Sequence, residues 1–260
     1  MTQDERRLYL LKVLLAERPE YTSLAIPPQA EEQKILLRGL MNIRPAAIIS
    51  DDFLAVQDAY LQESTKEKGI TTLDQLTPLA DGNLYLWQGD ITTLQCDAIV
   101  NAANSGMTGC YVPNHHCIDN AIHTYAGVQL RLACDALMQA QGHAEETGRA
   151  KLTKAYNLPC RYVLHTVGPI VEGALTDADR EALAASYTAC LTLAAQKNLE
   201  SVAFCCISTG VFHFPPEAAA AVAIGTVRQF LQRDTSVKKV IFNVFKDQDY
   251  IIYRNLLQRA

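Results

Sequence analysis

From Leu84 onward, short apolar, β-rich runs alternate with helical stretches, and this alternation leaves few options besides an α/β sheet covered by helices on both faces. The predicted strands are Leu84–Trp87, Ala98–Ala102, Leu152–Tyr156, Tyr162–Thr166, Val202–Ile207 and Val240–Val244. Predicted helices fill the gaps: Ile118–Ala126 with a continuation toward Ala140, then Asp177–Lys197, Pro216–Gln232 and Gln248–Gln258. Before residue 70 the pattern differs. Thr2 and Glu5 have capping-box spacing ahead of Leu8, Leu11, Val13, Leu14 and Leu15. A second helix opens after Pro27-Pro28, carries Ile35, Leu36, Leu37 and Leu40, and stops before Arg44-Pro45, where the proline pushes its predecessor out of helical space. Ser50-Asp51-Asp52 caps a third that runs to about Leu61, and the polar stretch Glu63–Gly69 reads as a connector.

Composition narrows the function classes. With 49% hydrophobic and 20% charged residues the chain is globular, neither disordered nor fibrous. Its longest apolar runs, Ala218–Ile224 and Val202–Ile207, fall far short of the ~20 residues needed to span a bilayer. The first residues put acids before bases and lack a small-residue cleavage site, so no signal peptide is expected and a cytoplasmic home follows. A net charge of -5 gives no field for nucleic acid phosphates; an anionic ligand has to be held locally, by backbone amides and a few placed side chains. The eight cysteines are expected to be small buried hydrophobes, except where a histidine joins them.

Several segments carry chemistry. Asp90, in Gln88-Gly89-Asp90-Ile91-Thr92, either caps the next turn or accepts a hydrogen bond from an exocyclic amine. Asn101 and Asn104 end a buried strand, where amides build a turn or meet sugar hydroxyls. Ser208-Thr209-Gly210-Val211-Phe212 joins a strand to a helix beginning at Pro216, a junction that serves as a plain turn or aims N–H groups at a diphosphate, with Gly210 allowing close approach. The strongest local feature runs from Gly109 to His123. Cys110, His115 and Cys117 can converge on Zn²⁺, because thiolate and imidazole are its preferred ligands and Pro113 bends the loop; three ligands leave a position open to water or substrate. The competing reading is a buried cysteine pair beside surface histidines. His116 should point elsewhere. Asp119 and His123, four apart, share a helix face, as a surface pair or as a proton-handling pair turned to a cleft.

Gly89-Asp90-Ile91-Thr92, Asn101-Ala102-Ala103-Asn104, Ile118 to His123, His165-Thr166-Val167-Gly168-Pro169 and Ser208 to Phe212 together resemble, in order and spacing, the macrodomain family. The resemblance covers about residues 75–260 and implies a three-layer αβα macrodomain sandwich with a mixed central sheet that binds ADP-ribose, residues 1–70 being a helical N-terminal extension. It implies that Asp90 and the Ile91 amide hold adenine, that Phe245 stacks on it, that Ser208–Phe212 wraps the diphosphate, and that Asn104, with Asn101 beside it, reaches the distal ribose. In place of the usual run of glycines the chain has Gly109-Cys110 followed by Tyr111 to Cys117. That departure is similar to a zinc-dependent microbial subgroup with a helical extension, which removes mono-ADP-ribose from proteins and whose zinc ligands match Cys110, His115 and Cys117. On these grounds the chain is expected to be a monomeric zinc hydrolase acting on mono-ADP-ribosylated protein at Asp or Glu esters, with Asn104 and Asp119 as candidate catalytic residues. A non-catalytic ADP-ribose reader and an O-acetyl-ADP-ribose deacetylase are the alternatives.

Overall fold

In a computed structural model, residues 1–21 and 23–258 are described. Helices α1 (Gln3–Ala16), α2 (Ala30–Ile43) and α3 (Asp51–Lys68) come first, followed by β1 (Thr71–Thr72), β2 (Leu84–Gln88), β3 (Leu94–Gln95) and β4 (Ala98–Ala102). Then come α4 (Ile118–Ala126), α5 (Val128–Gln141), β5 (Ala150–Lys154), β6 (Tyr162–Thr166), α6 (Asp177–Gln196), β7 (Ser201–Phe204), α7 (Pro216–Leu231), β8 (Lys239–Val244) and α8 (Asp247–Gln258).

Six strands form one sheet in the order β2-β8-β7-β4-β6-β5, parallel throughout except for β5, which runs antiparallel to β6. A mixed sheet of this kind needs cover on both faces. The central strands bury Ile99, Val100, Val163, Leu164, Val202, Ala203, Val240 and Ile241 completely, as expected where no face meets water. Helices α6, α7 and α8 pack as one layer and α4 with α5 as another. The expected three-layer α/β sandwich is borne out.

The N-terminal helices have their own apolar cluster. Leu10, Leu11, Leu14, Leu37, Leu40, Met41, Phe53 and Leu61 form it, with Val128 of α5 packed against its edge. Thr2 and Glu5 close the anticipated capping box. The buried stripe on α1 passes through Leu10, whereas Leu8 and Val13 lie at its flanks. The reading of Glu63–Gly69 as a connector is corrected: α3 continues to Lys68 and ends at Gly69, whose φ of 91° suits glycine. Its polar residues lie on a solvated helix face, held by the Lys66–Glu63 pair, while Thr65 turns inward.

Smaller differences also have local causes. The predicted helix continuing from Ala126 is broken at Gly127, whose φ of 94° ends α4 and starts α5. The expected strand Leu152–Tyr156 lies two residues earlier, because Tyr156 adopts φ 54° and turns the chain. The β1–β3 pairing was not predicted, and neither strand is long enough to show a period of two. All eight cysteines are free thiols, five of them buried.

Candidate active site and metal loop

Parallel strands deliver their C-terminal ends to one edge of the sheet, and the loops after β2, β4, β7 and β8 meet there. Gly89 N–H donates to the Val244 carbonyl at 3.0 Å, and Asn243 Nδ2 donates to the Gly89 carbonyl at 2.9 Å. The Asp90 turn therefore sits beside Phe245, which is 75% exposed despite its size. Asp90 divides its carboxylate. Oδ1 accepts from the Thr92 amide (3.0 Å) and hydroxyl (2.6 Å), capping the short turn Ile91–Thr93, and Oδ2 pairs with Lys68 of α3 at 3.0 Å. Burial pushes the Asp90 pKa up, but the Thr92 hydroxyl and the Lys68 ammonium outweigh it and hold the group below its ordinary value. Oδ1 is thus taken up by the cap, while Oδ2, paired with Lys68, keeps a lone pair for a further donor.

The loop between β7 and α7 folds back on itself. Phe214 N–H donates to the Ser208 carbonyl (3.0 Å) and His213 N–H to the Gly210 carbonyl (3.1 Å). Among the described residues, the Thr209, Gly210 and Val211 amides donate to no protein acceptor. Ser208 and His213 take the left-handed conformation (φ 66° and 57°), and Gly210 does not. A Cβ on Gly210 meets nothing within 4 Å, so glycine there leaves open space in front of the amides rather than serving the turn. Such a row of free N–H groups at the head of a helix suits an anion. Ser208 itself is buried against Gly168, where any side chain would collide with its Oγ.

Asn104 and Asn101 part company. Asn104, exposed, receives the Gly106 N–H on Oδ1 at 2.9 Å, and its Nδ2 donates to the Gly109 carbonyl (3.2 Å) and to Asp119 Oδ2 (3.3 Å). Asn101 is fully buried, with Nδ2 on Asp119 Oδ1 (2.8 Å) and His165 Nδ1 (3.2 Å). Its side chain thus lies inside the protein, braced by Asp119 and His165. Asp119, 4% exposed, likewise lies inside, accepting from both asparagines, and burial raises its pKa to about 6 against the Asn101 amide and Arg131. In this position its Oδ2 accepts from Asn104 and can orient that amide. His123 lies with Nε2 3.6 Å from Asp119 Oδ1, and its ring presses on Gly109, where φ of 90° and the ring itself leave no place for a side chain. The Asp119–His123 pair is therefore neither on the surface nor in the cleft.

Cys110, His115 and Cys117 converge. Their ligand atoms all lie within 4.8 Å of one another, and Cys110 Sγ is 3.5 Å from His115 Nδ1. Ligands of a tetrahedral Zn²⁺, at about 2.0–2.3 Å from the metal, stand roughly 3.5 Å apart, so the spacing fits that ion. Cys117 is the N-cap of α4, its Sγ accepting the Asn120 N–H at 3.4 Å, where the helix dipole favours thiolate. Burial nonetheless pushes its thiol up to about 12 against that amide, so a cation among the three would be needed to hold it as thiolate. His116 turns away, toward a cleft of about 600 Å³ between the N-terminal helices and α4.

A Macro domain model matches residues 100–223. Over 260 residues the chain is 56% identical to the protein-ADP-ribose hydrolase of Treponema medium, covering 99% of this chain and 100% of that one. The chain belongs to the Macro domain family. A protein-ADP-ribose hydrolase of Staphylococcus aureus (strain MRSA252) is 47% identical over 252 residues, covering 96% of this macrodomain protein and 94% of its own length. Among solved structures, a Trypanosoma brucei macrodomain in complex with ADP-ribose is similar, with a TM-score of 0.66 and 31% identity over 84% of this chain and 94% of that one. The expectation of an enzyme is borne out by the full-length relatives. Among the described residues of the macrodomain protein no helix is long and apolar enough to cross a membrane.

Sequence reasoning missed residues that reach the site from the N-terminal helices: Arg38, Asn42 and Lys68, and their counterpart Arg131 on α5. Arg131 is buried, donates to the carbonyls of Thr108 (2.8 Å), Met41 (3.2 Å), Asn42 (2.7 Å) and Arg44, and lies over the Tyr111 ring. An arginine inside an apolar-patterned helix was the available signal.

Proposed function

We propose that the protein hydrolyses the bond between C1″ of the distal ribose of mono-ADP-ribose and a modified protein side chain, an ester of Asp or Glu, with Zn²⁺ held by Cys110, His115 and Cys117. The observation that carries this reading is the convergence of those three side chains in the loop that begins at Gly109, whose carbonyl accepts from Asn104. The names of the full-length relatives support the hydrolase part.

The chain's own residues divide the work. Asp90 accepts the adenine amine on its Oδ2 edge, the Ile91 amide assists, and Phe245 lies free to stack on the ring. The amides of Ser208, Thr209, Gly210, Val211 and Phe212 receive the diphosphate, which explains how a chain of net charge -5 holds a dianion. Asn104, oriented by Asp119, places the distal ribose, and such placement converts binding energy into rate. Zn²⁺, when bound, supplies Lewis acidity at the anomeric end.

Incubating the purified protein with a substrate mono-ADP-ribosylated on an acidic side chain tests the proposal. Release of ADP-ribose is expected, with loss on chelation and recovery on adding Zn²⁺. Tight binding of ADP-ribose with no release from any acidic acceptor overturns it in favour of a reader.

A further inference from the structure

Helix α2 grips the loop that carries the metal-ligand set. Arg38 Nη2 donates to the His115 carbonyl at 2.9 Å and to Asn120 Oδ1 at 2.9 Å, and its Nε reaches the same amide oxygen at 3.3 Å. Asn120 completes the circuit by donating Nδ2 to the Val112 carbonyl at 3.0 Å. One turn further along α2, Asn42 accepts the Asn114 N–H on Oδ1 (2.9 Å) and donates Nδ2 to Thr124 Oγ1 (2.9 Å). Backbone groups of Val112, Asn114 and His115 are therefore all tied down between Cys110 and Cys117. Asn114 takes a left-handed φ of 55°, and a Cβ on Gly39 of α2 would come within 3.2 Å of its side chain, so helix and loop are in close contact.

The loop's own sequence does not account for this rigidity. A free segment of this length, with a proline and no secondary structure, samples many conformers in which the three ligands are apart, and binding an ion then costs the entropy of gathering them. Arg38 holds the carbonyl of a ligand residue itself. Its guanidinium meets two acceptors that lie in different segments, the loop and the first turn of α4, and so fixes His115 relative to the helix that begins at Cys117. Residues of this kind, bonded to ligands rather than to metal, tune affinity strongly.

We propose that Arg38 is a positioning residue of the metal centre, setting His115 Nδ1 toward the two thiols, so that the N-terminal helices are part of the metal site and not merely packed beside it. The inference rests on the zinc reading above.

The test compares full-length wild type with Arg38→Ala, Arg38→Gln and Arg38→Lys. Zinc affinity is measured by competition with a chelating dye, and the ligand field by the visible spectrum of the Co²⁺-loaded proteins. Arg38→Ala and Arg38→Gln should bind zinc about 10–100-fold more weakly and show altered Co²⁺ bands. Arg38→Lys should recover only part of the affinity, because a point-like ammonium does not reproduce the planar fork. Circular dichroism of the chelated proteins identifies variants that are folded. Wild-type zinc affinity and spectrum in any folded Ala or Gln variant overturn the proposal. A wild-type chain that binds no zinc overturns both this inference and the zinc reading, whereas zinc-binding wild type with unaffected variants overturns this inference alone.

Discussion

Lys68, in the last turn of α3, places its ammonium 3.0 Å from Asp90 Oδ2. The helix that precedes the α/β body thus ends on the carboxylate assigned to adenine. Oδ1 is already used by Thr92, so an adenine amine would have to share Oδ2 with Lys68, and that oxygen has two lone pairs to offer. Asp90→Ala should weaken ADP-ribose binding by about 1.5–3 kcal/mol, the range for a hydrogen bond to a charged group. Lys68→Ala should change it by less than about 1 kcal/mol, because the pair is partly exposed and screened. Isothermal calorimetry reads both. Equal losses for the two variants would mean that adenine does not contact Asp90 directly.

The purified protein should contain about one zinc per chain, and Cys117→Ala should contain almost none. Turnover should collapse in that variant while free ADP-ribose still binds, since Asp90, Phe245 and the Ser208–Phe212 amides are unaffected. Elemental analysis and a turnover assay on the same preparation check this. A zinc-free, folded Cys117→Ala with wild-type turnover removes the metal from the mechanism.

Asp119→Asn should be more damaging than its size suggests. Asp119 accepts from the side-chain amides of Asn101 and Asn104, and an amide in its place turns an NH₂ group toward one of those donors. A stability loss of about 1–3 kcal/mol is expected for the buried mismatch. The rate should fall more than ADP-ribose affinity, because Asn104 loses its orientation. Denaturant titration together with separate kcat and Kd measurements decide it, and an unchanged kcat would sink the positioning role.

Acid should destabilise the chelated protein in a predictable way. Burial lowers the pKa of His165 from 6.5 to about 3, and that of His123 well below its usual value. A group whose folded pKa is depressed binds its proton in the unfolded chain first. Each histidine therefore costs about 1.4 kcal/mol per pH unit as pH falls below 6.5, and His165 does so down to about 3. Asp119 has the opposite sign: its folded pKa of about 6 exceeds 3.8, so it adds stability as pH falls between those values and offsets one histidine there. Urea unfolding from pH 7.5 downward should show a shallow decline to about pH 4 and a steeper one below. A flat profile through that range contradicts neutral buried histidines.

Removing residues 1–69 should leave an insoluble or unfolded remainder. The cut exposes the apolar surface around Val128 and strips buried Arg131 of the carbonyls of Met41, Asn42 and Arg44. Expression followed by thermal unfolding checks this. A soluble truncation with the thermal stability of the whole chain would show the helices to be an independent module.

The parts of the molecule legible in the sequence are those whose logic is local. Strands β4, β6 and β8 are buried on both faces, so apolar runs such as Ala98–Val100 marked them closely. The convergence of Cys110, His115 and Cys117 was legible because the three lie within one loop, and the Asp90 turn because its cap is two residues away. The grip of the N-terminal helices was not. Arg38 meets His115 and Asn120 across 77 and 82 positions, and Lys68 meets Asp90 across 22. No periodicity or spacing rule carries such pairings. Asn101 and Asn104 show the same limit on a smaller scale: both are asparagines at a strand end, and only the pleat of β4 and the turn after it separate a buried brace from an exposed contact.

Arg131 sets an order on biosynthesis. The carbonyls it binds at the end of α2 leave the ribosome roughly ninety residues before the guanidinium that satisfies them. Until α5 is made, the nascent α1–α3 cluster has its C-terminal α2 carbonyls solvated and its Val128-facing edge bare. The N-terminal quarter of the chain, α1–α3, therefore completes its packing only once α5 has been made, and a pause in translation before Val128 would lengthen the interval in which that edge is open to chaperones and to other chains.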